Sequence, residues 1–128
     1  MTRIRKAAVA GTWYPGTAAA LAAAVDRHLH AADGRATDVD GDLVALVAPH
    51  AGLMYSGPVA AHAYRLLRGR TFDVALLVGP SHFVGFEGVA AYGGDGFETP
   101  FGTTPVDEAC ARALIAASPR ADAVCASW

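Results

Sequence analysis

Two short, almost wholly apolar runs bracket a helical stretch, and they constrain this chain more than any other feature. Leu43-Val-Ala-Leu-Val-Ala runs into Pro49-His50, and Asp73-Val-Ala-Leu-Leu-Val runs into Gly79-Pro80-Ser81-His82. Between them, Val59 to Leu67 reads as a helix. Continuous apolar runs suit strands buried on both faces of a parallel sheet, whereas one-sided strands alternate. The connection is long enough for a helical crossover, so the pattern predicts parallel strands at 43–48 and 73–78, side by side or nearly so. The expected fold class is therefore α/β, a mostly parallel sheet flanked by helices. His50 and His82 would then emerge at the carboxyl edge of one sheet, where open α/β sheets bind ligands.

With 128 residues the chain has room for one domain, or for part of a larger one. Its 53% apolar and 17% charged residues exclude global disorder. The net charge is −2 and no block of like charges occurs, so no nucleic acid or anionic membrane surface is implied. The apolar stretches are too short to cross a bilayer. Thr2-Arg-Ile-Arg-Lys is basic, but the following alanines reach Gly11-Thr-Trp-Tyr-Pro-Gly without the apolar core of a signal peptide. The expected location is cytoplasmic. Cys110 and Cys125 form neither a metal-type pair nor a disulfide framework, and Cys110 is expected to be a buried thiol.

Along the chain, Ala7 to Gly16 reads as an extended segment closed by a Pro15-Gly16 turn, with Trp13 and Tyr14 as packing residues. Thr17 can cap a helix over about 18–32 whose apolar face is Leu21, Val25 and Leu29. His28 and His30 lie two residues apart on it, roughly 200° around the axis, and are expected at the surface. After a polar loop over 32–42, residues 51–57 read as a flexible loop, with Ser56 or Gly57 capping the next helix and Pro58 in its first turn. Gly69 should stop that helix. Gly88 to Tyr92 is a plausible strand, Gly93 to Gly96 a tight turn, and Phe97 to Gly102 an irregular loop. Thr104 is expected to cap a helix that runs to about Ala117, with Pro105 in its first position.

Imidazole suits zinc, copper and iron, so two histidines on rigid strand ends would make two preset metal ligands. Their nitrogens would lie roughly 3–4 Å apart around a shared ion. Tyr55, beside His50, could orient a substrate or bound anion. A helix amino-terminus after Gly57 would add amide donors for an anion. His62 reads as a helix-surface residue. Ser81 adjoins His82, but there is no Gly-x-Ser-x-Gly elbow, HExxH, CxxC or paired-carboxylate arrangement.

Ala10-Gly-Thr-Trp-Tyr, Ala48-Pro-His-Ala-Gly-Leu-Met-Tyr-Ser-Gly, Ala60-Ala-His-Ala-Tyr, Gly79-Pro-Ser-His and Phe97-Glu-Thr-Pro-Phe-Gly-Thr-Thr-Pro-Val-Asp stand in order along the chain. Together they closely resemble the Memo family, whose microbial members are called AmmeMemoRadiSam system protein B. The resemblance covers Ala8 to about Asp107. It implies a fold like the class III extradiol dioxygenases and an iron or copper site made by two histidines and a cysteine. The two histidines fall on His50 and His82, with Tyr55, and less surely Ser56, near the metal. The resemblance also implies a radical SAM enzyme and an AMMECR-type protein as partners. A human member binds phosphorylated receptor peptides.

Two departures accompany the resemblance. Phe83 stands where many members have a second histidine. Members are also about twice as long, and no counterpart of their acidic segment, Asp-Phe-x-His stretch or cysteine ligand occurs here. The expectation is an amino-terminal part of a Memo-type protein, poorly soluble, weak in metal and inactive alone. Two function classes stay open. One is a metal-dependent redox domain using His50, His82 and Tyr55. The other is a non-catalytic module that binds an anionic or phosphorylated peptide, or another small ligand, in the same cleft.

Overall fold

The computed structural model describes residues 2–33, 40–117 and 121–122. They form two compact units, Ala7–Thr71 and Met1–Lys6 with Phe72–Trp128. The class is α/β, with small sheets and three α-helices among the described residues.

In the Ala7–Thr71 unit, helix α1 spans Ala18–Asp33 and helix α2 spans Leu53–Tyr64, continued by a 3-10 turn at Arg65–Leu67. Thr17 caps α1 as expected, its hydroxyl accepting from the Ala20 amide at 3.4 Å. The two helices pack on each other through small residues. Ala24, Ala32, Ala60 and Ala61 are buried together with Ser56, so the backbones can approach closely. His28 stands between Ala24 and Ala32 at steps of four, on the packed face. Leu21, Val25 and Leu29 are only half-buried. His28 is thus half-buried rather than a surface residue, and its ring closes on Gly57: a Cβ added there would lie 2.7 Å from two imidazole atoms. The helical pattern put His28 on the wrong face because alanine, not leucine, makes this interface.

Helix α2 begins six residues earlier than Val59. Its cap is Gly52, Ser56 and Gly57 lie inside it, and Pro58 sits in the helix rather than in its first turn. Proline's fixed φ is compatible with a helix, but its missing N–H leaves the Met54 carbonyl without that bond and its ring crowds the same carbonyl. Gly69 ends the segment as expected, at φ 69°. The Arg68 guanidinium bonds the Asp33 carboxylate at 2.5 Å, tying the end of α1 to the turn after α2. Residues 7–16 are mostly turn rather than extended, with one bridge between Ala10 and Tyr14.

The second unit holds the sheets. Strand β1, Ile4–Arg5, runs parallel to β3, Gly96–Thr99, which pairs antiparallel with β4, Gly102–Pro105. Strand β2, Val89–Ala90, is parallel to β5, Ala121–Asp122. The three-stranded sheet is mixed, not mostly parallel. Phe97 to Gly102, expected as a loop, is largely a hairpin closed by Pro100-Phe101 and by Gly102 at φ 119°. Thr104 therefore pairs with Phe97 instead of capping a helix. The cap of α3, Glu108–Ala117, is Asp107, whose carboxylate accepts from the Cys110 amide at 2.8 Å. Asp107→Ala should cost about 1 kcal/mol of stability in chemical denaturation, and Asp107→Asn much less. No residue of α3 is buried, and Cys110 is exposed, not buried. Cys125 lies outside the described residues.

Neither apolar run is a strand. Residues 43–48 and 73–78 carry no helix and pair with no other segment among the described residues. Val44 and Val47 are 93% and 97% exposed, and Leu77 is 87% exposed. An apolar run encodes a demand for burial, but a strand exists only through the partner that completes its ladder.

Candidate functional site

His50 is exposed and stands two residues before the Gly52 cap of α2. The backbone there is held from a distance in sequence: the Leu53 amide donates to the Trp13 carbonyl at 2.8 Å. The Tyr55 and Ser56 amides both donate to the Gly52 carbonyl, at 2.8 and 3.0 Å. Tyr55 therefore lies on the first turn of α2 rather than in a flexible loop, and the residue is 76% exposed. A Cβ on Gly52 would sit 3.3 Å from the Trp13 carbonyl oxygen and 3.7 Å from the Tyr55 ring. Trp13, Gly52 and Tyr55 thus meet at one place, with His50 adjacent in sequence. Trp13 acts here through its main chain while its side chain stays half-exposed. No local pattern announces such a contact, because it joins residues far apart in the chain.

This geometry weakens the anion site expected at the helix start. The amino-terminus lies at Leu53, not after Gly57, and the Leu53, Tyr55 and Ser56 amides already have acceptors. With the Leu53 and Tyr55 amides taken, the helix start has fewer donors left for an anion.

His82 belongs to the other unit and is exposed. The turn that presents it is fastened by Ser81, whose hydroxyl donates to the Val84 carbonyl at 2.6 Å and accepts from the Val84 amide at 3.3 Å. Ser81 is committed to the backbone and is not poised as a nucleophile. The rings of His82 and Phe83 meet edge to face, with centroids 6.4 Å apart. Because His50 and His82 sit in separate units, the internal geometry of each unit fixes one histidine at a time. His30 and His62 are exposed on their helices.

Among the described residues, no three His, Cys, Asp or Glu side chains gather closely enough to hold a metal ion. The donor type fits iron or copper, since imidazole suits both. No helix among the described residues is long and apolar enough to cross a membrane.

Comparison with known proteins matches residues 5–124 to the family described as Memo-like protein. A MEMO1 family protein of Nitrosopumilus maritimus is 31% identical, over 87% of this chain and 41% of the relative. One from Aeropyrum pernix is 36% identical over 88% of the chain and 43% of the relative. One from Pyrobaculum aerophilum is 38% identical over 88% and 42%. The chain spans about two fifths of the length of these curated relatives. With the family match running through both histidine segments and nearly the whole sequence, the chain belongs to the Memo-like protein family.

Proposed function

We propose that His50 and His82 are two ligands of an iron- or copper-binding redox site, with Tyr55 orienting what binds beside them. The observation behind this reading is the family match, which contains both histidine segments in one continuous span. The structure of the first unit is compatible with it: His50 and Tyr55 are exposed at the start of α2, and Trp13 anchors that start. On this reading the metal supplies the redox chemistry. The chain supplies two imidazoles, a phenol and a rigid helix start. Two donors are too few for tight binding, so the chain alone holds metal weakly and does not turn over.

The test is metal content and oxygen consumption of the purified chain after dialysis against a mild chelator. Sub-stoichiometric, chelator-labile iron or copper without oxygen consumption is the expected result. Metal-free protein that binds a phosphorylated peptide would favour the binding-module reading instead, and one tightly held metal per chain would refute the two-donor account.

A further inference from the structure

We infer that residues 9–16 are a positioning element for the proposed site, fixing Tyr55 through the Trp13 carbonyl and Gly52. This rests on the reading that His50 and Tyr55 serve one site. The segment is a closed knot of main chain. The Val9 carbonyl accepts from the Thr12 and Trp13 amides at 3.2 and 3.0 Å, and from the Thr12 hydroxyl at 2.9 Å. The Gly11 amide donates to the Tyr14 carbonyl at 2.7 Å, and Ala10 forms a bridge with Tyr14. Gly11 takes φ 83°, a conformation that glycine adopts without steric cost. A Cβ on Gly16 would stand 3.2 Å from the Gly11 amide nitrogen, so the turn closes tightly on itself. None of these bonds uses the Trp13 indole.

What the knot presents to α2 is the Trp13 carbonyl. The first four amides of a helix have no partner inside it. The first amide of α2, on Leu53, is satisfied by that carbonyl at 2.8 Å. Long side chains on a helix lean back towards its amino-terminus. Tyr55 obeys this rule: its ring lies 3.7 Å from a Cβ added to Gly52. The same Cβ would press on the Trp13 carbonyl oxygen at 3.3 Å. That oxygen cannot retreat freely, because it holds Leu53 and the Trp13 amide is bonded inside the knot. Glycine at position 52 thus lets the knot, the helix start and the Tyr55 ring share one seat. Gly11, Trp13 and Gly52 are positioning residues, and Trp13 serves through its carbonyl alone.

Amide hydrogen exchange and fluorine NMR of the fluorotyrosine-labelled full chain test the seat, with the Tyr55 signal assigned by Tyr55→Phe. Gly52→Ala crowds the carbonyl, and Gly11→Ala strains the knot at a position with open space around it. Each should lower Leu53 amide protection by about tenfold or more. The Tyr55 signal should shift, while the amides of buried Ala60 and Ala61, farther along α2, keep their protection. Trp13→Phe should leave both readouts unchanged. Copper(II) should broaden the Tyr55 signal of the parent chain and not that of His50→Ala. Copper that leaves the parent's signal untouched would sink the site reading alone, because the exchange measurement needs no metal. Leu53 protection and a Tyr55 signal that survive both glycine substitutions would overturn the positioning role. So would a Trp13→Phe chain that is disturbed as much as the glycine variants. Equal loss at Leu53, Ala60 and Ala61 in both glycine variants would overturn it too, since that marks general support of α2.

Discussion

Gly57→Ala should destabilise the Ala7–Thr71 unit by up to about 2 kcal/mol, and the same change in a His28→Ala background should stabilise it. Two effects compete at this position. Alanine in place of a helical glycine gains about 1 kcal/mol in helix propensity. Against that, the new Cβ would stand 2.7 Å from the His28 ring and 3.1 Å from a Leu53 methyl group. Overpacking of this kind typically costs about 1–3 kcal/mol. His28 lies in the packed face of α1 between Ala24 and Ala32, so its ring cannot swing away without losing that packing. Removing the ring removes the larger part of the cost, leaving the milder Leu53 contact against the propensity gain. A double-mutant cycle by urea denaturation measures the reversal of sign. If Gly57→Ala is equally destabilising with and without His28, the close approach of α1 to α2 is not what demands glycine.

His50→Ala and His82→Ala should each lower the residual copper or iron affinity of the chain at least tenfold, while His30→Ala and His62→Ala leave it unchanged. If the proposed site uses these two imidazoles, loss of either removes half the ligand set. All four side chains are exposed, so none of the substitutions should move stability by more than about 0.5 kcal/mol. Metal titration followed by spectroscopy, beside denaturation of each variant, checks both halves. Equal losses at His30 or His62 would show diffuse surface binding and would sink the ligand assignment.

Local chemistry decided much of the helical part of this protein. Thr17 caps α1 and Gly69 terminates the segment after α2. These features are set by residues within a few positions of one another, so they are legible in the chain itself. The family is legible for the same reason, as ordered motifs that need no coordinates.

Tertiary structure decided the rest. Only the packing of α1 on α2 shows that His28 is interior and that Gly57 belongs inside a helix, because the deciding atoms come from the other helix. Only the Trp13 carbonyl explains why α2 starts at Leu53, bringing Tyr55 onto its first turn. The choice of strands was the least legible. Leu43–Ala48 and Asp73–Val78 have stronger apolar patterns than Gly96–Thr99 and Gly102–Pro105, yet it is the latter pair that forms a ladder. Hairpin strands supply each other's hydrogen bonds across a two-residue turn, whereas each apolar run depends on a distant partner that its own sequence does not specify.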